Sequence, residues 1–537
     1  MTPRETMADD ATTTAARPRA RMMLALLLPA ALGACGMLEL TRGAPREYQV
    51  GFAAEMFATG FEGVSDYYIE PVPLADFTTR GLGGLARLEP RLKVNRAGQI
   101  VQLAYESQPL ASFPAPDDGN PTAWAQLAAH AVETGRKASP VLAKAPAEDI
   151  YRAVFDAGLS SLDRYSRYSG SEAAEDQRAG RDGYGGVGIT LGFENDEVLV
   201  IGVMDGTPAA SAGMAVGDRL THVDCQPRAG LSQHDVVRQL RGRIDSDVTV
   251  TRVRAKSAGT DMVTMRRARI VPQTVSYRRM SDVAYFRLSG FNQHTARTLR
   301  QQIERAEREI GPGMAGIILD LRGNPGGLLD QAVAVSDLFI REGEIVSVVG
   351  RHRASRQHFY AHGTALVPTR PMVVLVDRRS ASAAEIVAAA AQDSGRALVI
   401  GASSYGKGTV QTVIRMPNGG EITLPWARFH SPSGYSLQGL GVIPTICTGR
   451  LRGDPDRVLE EVRRGANHGI TRALRVDAER QNADPRAALV RACPPGPDDD
   501  EVDIVTARRL LAEPPTYARA VRQYVSGGAT PAAIAAH

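Results

Sequence analysis

The 537-residue sequence predicts an α/β multidomain chain with a helical N-terminal region, a β-rich module, an α/β core and a helical C-terminal extension. Three observations predict it. Apolar residues recur at helical spacing through EDIYRAVFDAGLSSLDRYSRY, residues 148–168. Short alternating runs between glycine turns fill 181–275. From 276 to 447 the order strand, helix, strand, helix, strand implies a parallel sheet. Composition is globular, 43% hydrophobic and 23% charged, which excludes collagen-like, coiled-coil and largely disordered chains. A net charge of only +4, with no block of five basic residues, argues against nucleic acid as a partner.

The first element is residues 1–34. Arg17, Arg19 and Arg21 precede the run MMLALLLPAALGA, which is too short to span a bilayer and fits the core of a signal peptide. It ends in LGAC at Cys35, which resembles the bacterial lipoprotein lipobox. That resemblance implies lipidation of Cys35 and an exported, periplasm-facing, membrane-anchored protein; a simple secretory signal with an incidental cysteine is the alternative. Gly36 in place of Asp points to the outer membrane. In an oxidising compartment Cys447 and Cys493, which bracket a C-terminal segment, are candidates for a disulfide. Cys225, in the strand-like RLTHVDC, is expected to be a buried thiol.

Residues 35–180 form the helical region, with an intrusion at 92–147. There LKVNRAGQIVQLAY reads as strands turning at Gly98, followed by a Pro/Gly-rich loop near 114–121. In 181–275, YGGVGITLGF and EVLVIGVM are strands, TPAASAGMAVGD is a loop, LSQHDVVRQLRGRI is an amphipathic helix and DVTVTRVR is a further strand. This order resembles a PDZ domain. The resemblance implies that Gly185, Gly186, Val187 and Gly188 present backbone N–H groups to a peptide's terminal carboxylate, beside a strand edge that accepts the peptide as an extra strand.

In 276–447, GIILDLR is a buried strand, GNPGG a sharp turn and LLDQAVAVSDLFI a helix. MVVLVD is a second strand feeding RRSASAAE and another helix, ALVIG is a third, and a glycine-rich loop leads to GKGTVQTVIRM. A serine in SASAAE stands at a helix N-terminus, where free N–H groups can stabilise an oxyanion. It needs a base, and no histidine signature is present. Lysine is scarce: Lys93, Lys137, Lys144, Lys256 and Lys407 are all there are among 63 basic residues. Lys407, inside GKG, becomes a neutral amine base if buried, which an arginine could not.

Residues 148–446, together with YIEPV upstream, resemble the C-terminal processing, or tail-specific, peptidases. These place a PDZ domain before a crotonase/Clp-like α/β core with a Ser–Lys dyad. The resemblance rests on LDRYSRY, the PDZ block, DLRGNPGG, VDRRSASAAEI and YGKGTVQ. It implies Ser382 as nucleophile, with Ser380 the alternative, Lys407 as base and Gln411 as the residue that orients the lysine. It also implies an oxyanion hole at the amides of Ala383 and a glycine of the turn, Gly327 in preference to Gly326. Asp320 and Arg322 read as a bracing ion pair, and Tyr405 packs beside the dyad. The activity implied is a serine endopeptidase that binds C-terminal tails of exported proteins, with no metal or organic cofactor. Partners are those tails, the membrane through the lipid anchor, an activator or adaptor protein, and a second copy through the C-terminal helices of 448–537. A catalytically silent PDZ adaptor and an acyl-thioester enzyme on the same core are the other readings.

Several features stand outside that pattern. His352, His358 and His362 read as a solvated loop, and Trp124 and Trp426 as core or cleft residues. Pro425 removes a ladder donor and predicts an edge or bulge.

Overall fold

The computed structural model describes residues 47–194, 197–228, 230–255, 259–449, 454–464, 493–494 and 500–526. The signal run and Cys35 lie outside the described residues. Among the described residues no helix is long and apolar enough to cross a membrane.

The N-terminal region begins with α1 (Val50–Tyr67) and α2 (Leu74–Gly83). A three-stranded antiparallel meander follows: β1 (Leu92–Ala97), β2 (Ile100–Tyr105) and β3 (Gln108–Pro114). Gly98, the first of two residues turning β1 into β2, has φ +59, as a II′ hairpin needs. Next come α3 (Pro121–Ala138), α4 (Pro140–Lys144) and α5 (Ala147–Leu159). Helix α3 starts cleanly because Asn120 Oδ1 accepts the Ala123 N–H at 3.0 Å and Pro121 needs no donor there. Phe57, Phe61, Phe155 and Trp124 are fully buried in one cluster, so Trp124 is a core residue. The 92–147 stretch is therefore half meander and half core helix. Strand β4 (Arg167–Ser169) and helix α6 (Ser171–Asp182) lead onward.

The β-rich module is entered through β5 (Tyr184–Gly186), then β6 (Ile189–Glu194) and β7 (Glu197–Val203). It continues with α7 (Pro208–Ser211), β8 (Arg219–Val223), β9 (Gln226–Pro227) and α8 (Gln233–Leu240). It closes with β10 (Asp247–Val253), β11 (Thr260–Arg266) and β12 (Ala268–Ile270). The sheet order is β11-β10-β8-β7-β6, with β6 at one edge; β5 and β12 pair antiparallel where the chain enters and leaves. One expectation fails here. Cys225 is exposed, because the apolar alternation ends at Val223 and Asp224 and Cys225 form a two-residue turn at φ +48 and +63.

The core sheet runs β13 (Val275–Met280), β14 (Val283–Leu288), β15 (Gly316–Asp320), β18 (Met372–Val376), β19 (Leu398–Gly401), β22 (Ile446–Cys447). All pairs are parallel except β13 with β14. Its helices are α9 (Thr295–Ile310), α10 (Leu329–Asp337) and α11 (Ala383–Asp393). Strand alternation divides the side chains: Phe286, Leu319, Val374 and Val399 pack with these helices. Tyr285, Ile318, Val373 and Leu398 face the other way, onto α12 (Pro455–Arg464), α13 (Asp500–Leu511) and α14 (Pro514–Ser526). The C-terminal helices thus cover the second face of this chain's own sheet. A disulfide joins Cys447 to Cys493.

A second sheet has the order β17 (Gln357–Tyr360), β16 (Glu344–Gly350), β21 (Glu421–His430), β20 (Thr409–Arg415), and β4 also pairs with β21. Pro425 lies between the stretch of β21 that pairs with β4 and the stretch that pairs with β16, opposite a register shift at Val410/Gln411. The expected bulge is there, and the missing N–H is not needed.

Candidate active site

The turn after β18 is built around Asp377, whose Oδ1 accepts N–H bonds from Gly323, Arg379 and Ser380 at 2.9 to 3.0 Å. Ser380 is buried in this turn and donates its Oγ to Leu321 O at 2.8 Å. Ser382, two residues on, faces a cavity of about 620 Å3. Its backbone is at φ +55, ψ −116, a strained conformation for a residue with a Cβ, held directly before α11. The N–H groups of the first turn of α11, Ala383 among them, have no intrahelical acceptor.

The GNPGG turn closes against this point. A Cβ on Gly326 would lie 2.8 Å from Ser382 Cβ and 3.0 Å from Ala383 N, and one on Gly327 would lie 2.1 Å from Phe291 O. Only glycines allow the turn to pass so near the serine. The Gly326 N–H donates to Asn324 Oδ1 at 2.8 Å. Gly327 lines the cavity, and its N–H has no acceptor among the described residues. Asp320 and Arg322 form the bracing pair at 2.7 Å beneath the turn, and Arg322 also reaches Asp503 Oδ2 on α13 at 3.1 Å.

Lys407 reaches the same cavity from the loop before β20. Its Nζ donates to Gln411 Oε1 at 2.9 Å, and Gln411 Nε2 donates to Tyr165 O at 3.2 Å. The ammonium also sits 5.7 Å from the centre of the Tyr165 ring. Burial lowers the Lys407 pKa, the Arg167 guanidinium lowers it further, and Glu385 opposes both. No hydrogen bond joins Lys407 Nζ to Ser382 Oγ among the described residues.

Two supporting residues escaped the sequence reading. Glu385, fully buried, accepts the N–H groups of Ser382 at 2.7 Å, Gly406 at 2.7 Å and Lys407 at 2.9 Å, and also the Ser404 hydroxyl. One carboxylate thus clamps the serine turn to the lysine loop. Burial raises its pKa, and the hydrogen bonds it accepts work against that rise. The S-x-x-E spacing of a capping box was the signal available. Tyr165 sits in the LDRYSRY run, but that run carries no sign of the contact, since it lies 246 residues from Gln411. Tyr405 stands by the dyad loop, its N–H donating to Ser380 O at 3.0 Å.

A second cavity, of about 230 Å3, runs between β6 and α8 in the β-rich module. Gly186, Val187 and Gly188 line one end, and Leu191, Phe193, Val237 and Leu240 supply apolar walls. Gly188 has φ +85, and a Cβ there would lie 2.4 Å from Thr207 Cβ. Gly185 stands beside the groove, its carbonyl accepting the Gly242 N–H at 3.0 Å. Away from both cavities, His358 contacts Glu344 at 2.7 Å and His362 contacts Asp337 at 3.3 Å. Among the described residues no cluster of three His, Cys, Asp or Glu is placed to hold a metal. The His352 ring contacts those of Tyr67 and Trp426 in tilted arrangements, with centroids 5.5 and 6.4 Å apart.

The peptidase family S41 profile matches residues 282–448, and a PDZ domain profile matches 199–254. The carboxy-terminal-processing protease of Bartonella bacilliformis is 40% identical over 293 residues, 54% of this chain and 67% of that protein. The carboxy-terminal processing protease CtpA of Bacillus subtilis is 33% identical over 293 residues, covering 54% of this chain and 61% of the relative. The chloroplastic C-terminal processing peptidase of Tetradesmus obliquus is 31% identical over 280 residues, covering 49% and 59%. Among solved structures, the photosystem II D1 C-terminal processing protease aligns over 73% of this chain and 92% of its own, at 24% identity and a TM-score of 0.37. The chain belongs to peptidase family S41, among the PDZ-containing carboxy-terminal-processing proteases.

Proposed function

We propose that the protein is a serine endopeptidase that captures the C-terminal tails of exported proteins and cleaves them with Ser382 and Lys407. The observation that carries this reading is a lysine of lowered pKa, fixed by Gln411 at 2.9 Å, in one cavity with a serine at a strained helix start. A tail carboxylate binds the N–H groups of the Gly186–Gly188 loop, with Gly185 bracing it. The tail extends along β6, an edge strand, with its apolar side chains in the groove beside α8. In the cleft, neutral Lys407 takes the Ser382 proton as Oγ attacks the carbonyl carbon. The oxyanion accepts from Ala383 N–H and Gly327 N–H. Protonated Lys407 then protonates the leaving amine, and water attacks the acyl-enzyme with Lys407 again as base. This chemistry asks for no metal or organic cofactor. Tail capture, alone or with an activator protein, brings Nζ and Oγ into hydrogen-bond range. Export and lipidation at Cys35 anchor the enzyme in the envelope, facing the periplasm from the outer membrane.

The test uses a reporter with an apolar C-terminal tail, as free acid and as amide, read by intact mass. Cleavage of the free-acid form by wild type, lost in Ser382→Ala and in Lys407→Ala, is expected. A fully active Lys407→Ala protein overturns the dyad, and tail binding without cleavage favours an adaptor or an enzyme awaiting its activator. Cys35→Ser is expected to release the protein from membranes on fractionation.

A further inference from the structure

We propose that the cleft selects substrates bearing a carboxylate about four residues from the scissile bond, held by Arg415 and Arg167. This rests on the assignment of Ser382 and Lys407 above. Strand alternation puts Gln411, Val413 and Arg415 of β20 on one face, and cross-strand pairing sets Thr423 beside Val413, Glu421 beside Arg415 and Arg167 beside Thr423. All of these side chains line the cavity that holds Ser382 and Lys407.

The charges do not balance. Glu421 is the one acid among the described residues lining the cavity, and it is 1% exposed. Its Oε1 accepts from Arg178 at 2.9 Å and Arg181 at 3.1 Å, and its Oε2 accepts from Arg181 at 3.0 Å. The two arginines of α6 thus consume this carboxylate. Arg415 is exposed and has no ion-pair partner among the described residues, and Arg167 donates only to Tyr165 O at 3.4 Å. Arg415 and Arg167 thus both line the cleft without an ion pair of their own, although Glu421 lies near enough to Arg167 to favour its charged form; a carboxylate is the group their planar donors match best.

Distance fixes the position. Gln411 holds the lysine, and Arg415 lies four strand residues farther along β20, roughly 13 Å at the usual rise. Strand β20 ends its sheet, so its open edge can take an extended substrate. A substrate strand in that register brings a residue about four positions from the scissile bond over Arg415. An Asp or Glu side chain supplies the carboxylate, as does a chain terminus ending at that position.

The experiment places Glu or Gln at each of several positions on both sides of the scissile bond of the reporter, in free-acid and amide forms. kcat/KM is expected to rise about tenfold for Glu at one position about four residues out, the factor that ~1.4 kcal/mol makes. The gain should shrink with added salt. A gain in both the free-acid and amide forms assigns the side chain, and one confined to free-acid reporters ending there assigns the terminus. Arg415→Gln should bring the Glu-to-Gln ratio near one, and Arg415→Glu should reverse it in favour of Gln. Equal rates for Glu and Gln everywhere, or a Glu gain unchanged in both Arg415→Gln and Arg167→Gln, overturn the proposal. If wild type cuts no reporter, the failure lies with the cleavage reading above and not with this pocket. The pocket is then judged by binding of the same peptides to Ser382→Ala, where tighter binding of the Glu peptide supports it and equal binding overturns it.

Discussion

A lysine acts as a base only when it has lost its proton, so the environment of Lys407 decides the working pH. Burial and then Arg167 favour the neutral amine, and Glu385 opposes them. The sign follows directly. The lysine is protonated and inactive at low pH, so kcat/KM should rise with pH through a midpoint below the ordinary lysine value of 10.5. Arg167→Gln removes a like charge and should move that midpoint upward, which a pH–rate profile reads. Lys407→Arg should abolish cleavage at every pH, because a guanidinium keeps its proton. The serine turn and the lysine loop that share the cleft were legible as short runs, SASAAE and GKG, at the ends of elements, while the choice of Ser382 over Ser380 came only from the family resemblance. Tyr165 and Arg167 lie in the LDRYSRY run, but their place beside the lysine was not legible, since they arrive from β4 and its approach, more than two hundred residues upstream of the strand they meet.

At the scale of elements, the serine turn, the GNPGG turn and the lysine loop hold one another in place. Glu385→Gln would turn an NH2 group toward backbone donors that now meet a carboxylate. Each donor left unmet in the interior costs about 1–3 kcal/mol, so denaturant unfolding should show a loss of that order. Gly326→Ala would force a Cβ to 2.7 Å from Ala381 O at φ +99. It should lose most activity while circular dichroism stays native. Periodicity revealed the parallel core because β15 and β18 are buried on both faces and read as unbroken apolar runs. It misjudged Cys225, where a turn follows an apolar strand and spacing carries no sign of the reversal. It also could not divide 92–147 into a three-stranded meander and core helices, since α3 and the Leu92, Val101 and Leu103 face of the meander are buried only by packing on the rest of the N-terminal region.

At the scale of the whole molecule, the cleft is assembled from distant parts of the chain. The N-terminal region contributes Arg167 and Arg181 to its lining and Tyr165 behind Gln411, while the C-terminal helices back the sheet and touch the turn from behind through Asp503 and Arg322. Burial raises the Asp503 carboxyl while Thr448 and Arg322 pull it down, so this contact depends on α13 staying docked. The Cys447–Cys493 bridge, 46 residues apart in sequence, ties the end of the core sheet to the segment leading into α13. Closing a loop of that length removes unfolded-state entropy worth at most about 4 kcal/mol. Replacing both cysteines by serine should therefore lower the melting temperature. If the helices act on the oxyanion turn through Asp503, kcat should fall with little change in KM, and Asp503→Asn in the disulfide-bonded protein should reproduce the fall in kcat without the full loss of stability. A double-serine protein that melts earlier but turns over normally would confine the C-terminal helices to covering the sheet.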